Sequence, residues 1–583
     1  MCRRIVVLVV VLCLVFLATG CQAGALKTRK VLPEWSRAQQ LGVAALNRPI
    51  HMVAEDESVH LIWIDAEANA PHYVRLDGRG EVEVSTDLNV QGSHPSDAKL
   101  WLNADGSVMV LWTDNPQIPR ALFAVRIDRD GQLLSGPTQV SPEGVRVSDY
   151  TVARDVQGRQ HLFWANEIPS EGGVHHVRFS ADGEVASVSR LLVANGEHPA
   201  AEADASGVIH LSWVEEPIVR LNYVYYAVFD PSTDQLGPET QVAVYKTATG
   251  LVSYPPILGL DEDTVYLFWS LEQRGGGLTP GESKSYYVAF PLGNPREIEP
   301  IEINIPPFAR PEYVDTPGTL PYEQLASASA GWPTSFLYQP ATLDGQREEL
   351  GVFFIAEVAT QRQSSKEVAW AIYEDGELKG YQLPTQLGRG LRPTGAIDPR
   401  GNVHLAWLNA GGFGRYEVYY ASTSDAVKAN LDRVTVQDRA WDVLNALWAL
   451  APALGFFPPI FLLWGFIPLL WVILFYFIKV EGGLDRRPAQ IALVVAVVLY
   501  LFSKLFLMPG PLFYAPLQDR FPADLQFIPV IGTVLFTLLV ALGAMWFYFR
   551  RREYRSLFAA FVIFVFTDAI LSLIIYVPRW LAG

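Results

Sequence analysis

The chain has 583 residues, half of them hydrophobic and 18% charged, with a formal net charge of −16. That is more than one hydrophobic core serves, so at least two domains are expected. Eleven of the 45 Lys+Arg and eight of the 61 Asp+Glu lie from Val436 onward, leaving 34 against 53, a net of −19, on the part before it; so acidic a surface argues against nucleic acid or anionic lipid as its main partner.

The chain opens with Arg3-Arg4, an apolar run from Ile5 to Phe16, and then Leu17-Ala18-Thr19-Gly20-Cys21. Residues 1–21 resemble a bacterial lipoprotein signal peptide, and the resemblance implies lipidation of Cys21; an uncleaved signal anchor is the alternative. All three cysteines, Cys2, Cys13 and Cys21, lie in this segment. The mature chain is therefore expected to hold no internal disulfide, thiol chemistry or Cys-ligated metal. Residues 22–40 read as a linker.

From residue 41 to 435 one phrase recurs about every fifty residues: Val59-His60-Leu61-Ile62-Trp63, Val108-Met109-Val110-Leu111-Trp112, Gln160-His161-Leu162-Phe163-Trp164, Ile209-His210-Leu211-Ser212-Trp213, Val265-Tyr266-Leu267-Phe268-Trp269 and Val403-His404-Leu405-Ala406-Trp407. A proline precedes the tryptophan by fourteen residues at Pro49, Pro199, Pro255 and Pro393, with Pro95 a little further out. A glycine precedes it by six at Gly106, Gly158, Gly207 and Gly401, after an Asx-type turn such as Asp398-Pro399-Arg400. Proline opens a strand and the Asp/Gly pair makes a tight hairpin. A third strand follows, such as His72–Asp77 or Tyr416–Ala421, and then a fourth, around Gln139–Ser141 or Gln241–Ala243. Four short strands per repeat make one β-propeller blade. Gly351-Val352-Phe353-Phe354-Ile355 supplies a seventh copy, with Ile355 in the tryptophan place. The expected fold is an all-β seven-bladed propeller with a Pro-rich insertion near 295–340, or eight blades if that insertion hides a degenerate one.

Propellers present ligand-binding groups at one end of their channel. The start of the first strand and the end of the second share a face. Just before the prolines stand Arg48, His94, His198 and Arg392, with Tyr254 and Gln339 in other copies. Two residues past the tryptophan position stand Asp65, Asp114, Glu215 and Glu357, with Asn166 and Asn409. A ring of cations facing a ring of carboxylates suits a polar ligand such as a sugar or peptide; the competing reading gives these residues to the blade itself, as turn caps and bridges. His60, His161, His210 and His404 share one second-strand position in four blades, which favours packing between blades over a metal centre. No metal or cofactor is expected.

After residues 436–456, read as an interfacial helix or linker, the region 457–583 holds four apolar stretches long enough to span a bilayer: Phe457–Ile478, Ile491–Met508, Phe527–Phe549 and Leu557–Val577. Lys479, Arg486 and Arg487 fill the first short loop and Arg550, Arg551, Arg552 and Arg555 the third. The positive-inside rule puts those loops in the cytoplasm, and the propeller and C-terminus outside a bacterial cytoplasmic membrane. Lys504 and Asp568 are intramembrane charges at depths that differ by about 3 Å at ~1.5 Å per residue, so an ion pair between their helices is expected.

The repeat texture over about Leu41–Asp425 resembles the sialidase-like and related bacterial extracytoplasmic propellers, and implies glycan hydrolysis as one activity. The family's Ser-x-Asp-x-Gly-x-Thr-Trp turn is echoed only by Ser180-Ala181-Asp182-Gly183, and its arginine triad, tyrosine nucleophile and acid/base aspartate have no evident counterparts. The leading expectation is a membrane-anchored extracytoplasmic binding, sensing or scaffolding propeller for a glycan, peptide or protein ligand, with membrane lipid as its other partner. The alternatives are a sialidase-like hydrolase and the ectodomain of a signalling or transport complex.

Overall fold

The computed structural model describes residues 32–582 apart from 46–47, 89, 91–93, 115–119, 169–171, 274–281, 304–319, 322–336, 345–348, 360–363, 386–389, 413, 480–482, 508–524, 526 and 552–553. For residues 282, 320–321, 337–344, 357–359, 364–365, 412, 437–457, 507, 527 and 577–582 it describes the backbone alone. Cys21 and most of the expected 295–340 insertion lie outside the described residues. The chain divides into two units, Met1–Arg433 and Val434–Gly583.

The first unit is a seven-bladed propeller. Each blade is an antiparallel sheet in chain order, as in His51–Ala54, Ser58–Ile64, Pro71–Asp77 and Val82–Asp87 of the first. The inner strands of the seven blades are His51–Ala54, Ser96–Leu102, Val147–Arg154, Glu197–Ala203, Leu251–Leu260, Leu337–Asp344 and Gly390–Ile397. The last two pair in parallel at Leu343–Gly395 and Asp344–Ala396, merging the sixth and seventh blades into one sheet.

In the fourth and seventh blades the repeat sets its sheet by one chain of contacts, and the first blade shares its last link. The hairpin aspartate accepts a backbone N–H through Oδ1 (Asp204 from Val208, 2.9 Å; Asp398 from Asn402, 2.7 Å) while Gly207 and Gly401 take φ of 78° and 90°. Its Oδ2 faces the second-strand histidine: Asp204 lies 3.3 Å from His210 Nε2, and Asp398 lies 3.5 Å from His404 Nε2. The histidine Nδ1 meets a third-strand tyrosine hydroxyl, His210 to Tyr226 at 2.5 Å, His404 to Tyr420 at 2.7 Å and His60 to Tyr73 at 2.7 Å. A carboxylate only accepts, so Nε2 carries the imidazole proton and Nδ1 accepts from the tyrosine O–H. Two residues beyond each histidine-slot leucine comes the tryptophan, fully buried and stacked on the third strand: Trp112 on Phe123, Trp164 on His175, Trp213 on Tyr225 and Trp407 on Tyr419. At roughly 150–250 Å² of surface and about 25 cal/mol/Å², each such ring contributes about 4–6 kcal/mol as an upper figure. Ile355 fills the same slot in the sixth blade, fully buried and paired with Val368.

Neighbouring blades are joined by a third-strand arginine reaching the next blade's turn. Arg75 donates to the Arg129 carbonyl at 3.0 Å, Arg126 to the Asp182 carbonyl at 3.4 Å, and Arg178 pairs with Asp234 at 2.7 Å.

The ring closes with the chain's own N-terminus. Gln39–Ala45 pairs antiparallel with Arg415–Ser422 as the outer strand of the seventh blade. Residues 32–40 therefore belong to the propeller and not to a linker. Leu32, Trp35 and Ala38 pack with Phe353, Ile355, Val368, Leu405 and Trp407 of the sixth and seventh blades, and Trp35 Nε1 donates to Gln382 Oε1 at 3.0 Å. A short helix, Asp425–Leu431, follows the seventh blade; its Val427 and Leu431 join the core shared with the first blade, and Asn430 donates to the Arg79 carbonyl at 3.1 Å.

The second unit holds four long helices, Val436–Ile478, Arg487–Leu507, Phe527–Arg551 and Leu557–Ala582. Four stretches within them are long and apolar enough to cross a membrane: Pro458–Ile478, Arg487–Phe506, Ile528–Arg551 and Leu557–Tyr576. The segment 436–456 is not a separate interfacial helix. It forms the first half of one continuous helix, Val436–Ile478. Lys504 Nζ, with no exposed side-chain surface, donates to Asp568 Oδ2 at 2.7 Å and to Ser572 Oγ at 2.7 Å, with Thr537 Oγ1 at 3.4 Å. Tyr500 donates to the same Asp568 oxygen at 2.8 Å. All three ammonium protons thus have acceptors, which an unpaired charge in hydrocarbon would lack.

Three outcomes follow from this packing. Trp35→Ala removes a buried ring from the closure and is expected to cost about 3–5 kcal/mol; an unchanged thermal midpoint would show that the segment before Gln39 does not hold the ring shut. Burial lowers His210 and His404 below the usual 6.5, and burial, then the Lys99 charge, lowers His51 to about 3. The unfolded chain then binds more protons below about pH 6.5. Propeller stability should be full above that value and fall as pH drops toward 3, and a midpoint flat across this window contradicts it. In the membrane unit, Lys504→Met strands a buried carboxylate and should destabilise by about 3–5 kcal/mol, while Lys504→Met with Asp568→Leu restores most of the loss. Thermal unfolding in lipid nanodiscs reads both; equal midpoints for the single and double variants would leave the pair without energetic coupling.

Candidate functional site

Ionisable side chains gather where the inner strands begin. Here six of the seven inner strands shift register: between Ser96 and Lys99, Val147 and Tyr150, Glu197 and Ala200, Tyr254 and Ile257, Tyr338 and Ala341, and Leu391 and Thr394. Three bulge residues adopt left-handed backbone without being glycine: Asp97 at φ 52°, His198 at 51° and Arg392 at 47°. Such a conformation costs of order 1–3 kcal/mol, and bulges re-aim side chains. Three ionisable residues thus stand strained at corresponding places in three blades.

In the second to fourth blades these positions form one cluster. His198 Nδ1 lies 3.3 Å from Asp149 Oδ2, and the two side chains keep 39% and 41% of their accessible surface. Burial alone would lower His198, but the hydrogen bond to Asp149 and the charges of Asp149, Glu197 and Glu167 raise it above the usual imidazole value. Burial likewise pushes Asp149 up, and is outweighed by the His198 bond, by the Lys99 and His198 charges and by the Tyr150 amide, so its carboxyl titrates below the usual range. Both shifts favour the ionic form of the pair. Lys99 Nζ donates to the Tyr150 carbonyl at 2.6 Å and stands 4.8 Å from the Tyr150 ring centre. Tyr150 donates to the Asp97 carbonyl, and Arg120 lies 3.9 Å from the Asp97 carboxylate.

A second group crosses from the seventh blade to the fifth. The Arg392 guanidinium lies 5.7 Å from the Tyr254 ring centre, and the Tyr254 hydroxyl donates to Glu272 Oε2 at 2.7 Å. All three side chains are half-buried.

Of the residues expected at this face, the structure brings His198 and Arg392 into these groups. Arg48 is half-buried and His94 exposed, and among the described residues neither makes a side-chain hydrogen bond or ion pair with them. The carboxylates past the tryptophans are engaged with their own blades. Asp65 Oδ1 accepts the N–H groups of Glu67 and Ala68 at 2.7 and 2.9 Å, Asp114 Oδ1 accepts that of His94 at 2.8 Å, and Glu215 Oε1 accepts the Trp213 indole N–H at 3.2 Å. Glu357 lies opposite Lys366 in the sixth blade, and its side chain is outside the described residues. Lys99, Asp97 and Asp149 were missed, yet a signal existed. Asp97, Asp149, His198, Tyr254 and Arg392 each stand fifteen residues before their tryptophan. Anchoring the second copy on Pro95 selected His94 in place of Asp97.

Two groups of His and Asp side chains are close enough to hold a metal ion among the described residues: Asp65, His72 and Asp87, and His161, His176 and Asp234. The four second-strand histidines stay apart, one per blade; His176, on a third strand, is what converges on His161.

No family model and no curated protein matches the chain. Among solved structures it is similar to a polysaccharide lyase, Uly1, at 13% identity over 66% of this chain and 91% of that one, TM-score 0.40. It is similar to an α-L-arabinofuranosidase, Arb93A, from Fusarium graminearum, at 10% identity over 57% and 94%, TM-score 0.35. It is also similar to an α-L-arabinanase from Penicillium chrysogenum complexed with arabinobiose, at 12% identity over 66% and 98%, TM-score 0.34.

Proposed function

We propose that this chain is a membrane-anchored binding propeller that takes a polar, charge-bearing ligand, a glycan or a peptide, at the face where its inner strands begin. The observation that carries the reading is the run of strained, ionisable bulge residues, Asp97, His198 and Arg392, because strain at corresponding places in several blades persists where side chains must be aimed. Lys99, Asp149 and His198 offer fixed charges of both signs. Arg392 and Tyr254 offer a guanidinium beside an aromatic face, on which a sugar ring or a peptide plane stacks.

Binding is favoured over hydrolysis. Glycoside cleavage uses two carboxylates set roughly 5–9.5 Å apart across the substrate, and Asp65, Asp114 and Glu215 spend oxygens on backbone amides and an indole. The proposal places the propeller outside a bacterial cytoplasmic membrane, held by four spans and by lipid on Cys21. The basic first and third loops and the signal-like N-terminus support the same side independently.

The test is a glycan and peptide array probed with the full chain in nanodiscs, followed by titration of any hit. Asp149→Ala with His198→Ala, and separately Arg392→Ala, should weaken binding about 10- to 100-fold, the loss of one or two charge-assisted hydrogen bonds, with an unchanged thermal midpoint. A ligand that binds equally to both variants would place the site elsewhere on the propeller.

A further inference from the structure

The third blade departs from the others at one position. In the first, fourth and seventh blades the second-strand imidazole meets a tyrosine hydroxyl, but in the third it meets another imidazole, with His161 Nδ1 3.0 Å from His176 Nε2 and both rings buried. Asp155 Oδ2, 3.3 Å from His161 Nε2, accepts a hydrogen bond from that nitrogen's N–H, so Nδ1 turns its lone pair toward His176. From the fourth blade, Asp234 stands in a turn with left-handed backbone, φ 56°, and brings its carboxylate within 4.8 Å of ligand nitrogens on both rings. Arg178 holds Asp234 Oδ2 at 2.7 Å, while Oδ1 is buried and has no hydrogen-bond partner.

We propose that His161, His176 and Asp234 bind a divalent transition-metal ion of the zinc type, bridging the third and fourth blades. Two imidazoles and one carboxylate are a ligand set zinc accepts, with the fourth position left to water. The supporting contacts are those such sites carry: a carboxylate, Asp155, on the far nitrogen of one histidine, and an arginine, Arg178, on the far oxygen of the carboxylate. Phe229, with ring centres 5.5 Å from His161 and 4.8 Å from His176, walls one side. Two nitrogens on a tetrahedral ion at about 2.0–2.1 Å lie roughly 3.3–3.4 Å apart, so the rings must part by a few tenths of an ångström. Arg159 and Arg178 already balance Asp155 and Asp234, so binding is expected to be weaker than at a thiolate zinc centre. At the other His/Asp group, His72 is engaged by Asp87 at 2.6 Å and by Ser85 at 3.0 Å, and Asp65 by two amides, and this makes it the control.

The experiment uses the full chain, purified without a histidine tag and stripped with chelator, then loaded with Zn²⁺ or Co²⁺. Metal per chain is measured after desalting, and Co²⁺ geometry by visible absorption. The expected result is one equivalent of metal with a tetrahedral Co²⁺ spectrum, weakened at least ~10-fold in His176→Tyr and in Asp234→Asn and retained in His72→Phe. His176→Tyr installs the residue that four other blades carry at this place; if it does not fold, Asp234→Asn, at the blade boundary, decides alone. Absence of stoichiometric metal in the natural chain, or affinity unchanged in Asp234→Asn, overturns the proposal.

Discussion

In the third, fourth and seventh blades the sheet depends on how a hairpin aspartate is shared. One oxygen of Asp204 or Asp398 fixes the turn between the first and second strands, and the other fixes the imidazole that reaches the third. Three strands are registered by one side chain, and only in that register does the tryptophan of the second strand fall on the aromatic of the third. A slip of one residue would send the tryptophan to the opposite face of the sheet. The repeat thus preserves Asp, Gly, His and Trp at fixed spacing because they act as a unit, and the third blade keeps the geometry while exchanging a phenol for an imidazole.

The blades were legible for the same reason. A motif that recurs seven times, with Trp in step in six copies and Gly in four, has one economical explanation, and even Ile355 was recognisable by position alone. The ring closure was less so, because Gln39–Ala45 carries no tryptophan and sits about 1,200 Å of extended chain from its partner, at the ~3.3 Å that each intervening residue spans. Its trace was an imbalance: a strand before Pro49 with no blade of its own, and a seventh blade with no fourth strand before the membrane helices. The Lys504–Asp568 contact was foreseeable because charge is so rare in an apolar helix that depth alone selects partners.

The candidate site was the least legible part. Charged residues at the ends of strands look alike in sequence whether they cap a neighbouring amide or face a ligand. Asp114 and Asp149 illustrate the difference: the first is buried against the His94 backbone, the second keeps 41% of its side-chain surface and an ionic partner from the next blade. What separates them is a bulge, and a bulge depends on how two strands pair, which a single strand's residues do not state.

Closure by the N-terminal strand also sets an order of events in the life of the chain. Gln39–Ala45 is made first and finds its partner, Arg415–Ser422, only after every other blade has been synthesised. During that interval it carries unpaired amides, as does the forming edge of each blade, and so offers a template to other chains. The last step of folding falls just before the first long helix, which begins at Val436. A product truncated before Arg415 would be an open ring with an unsatisfied strand edge.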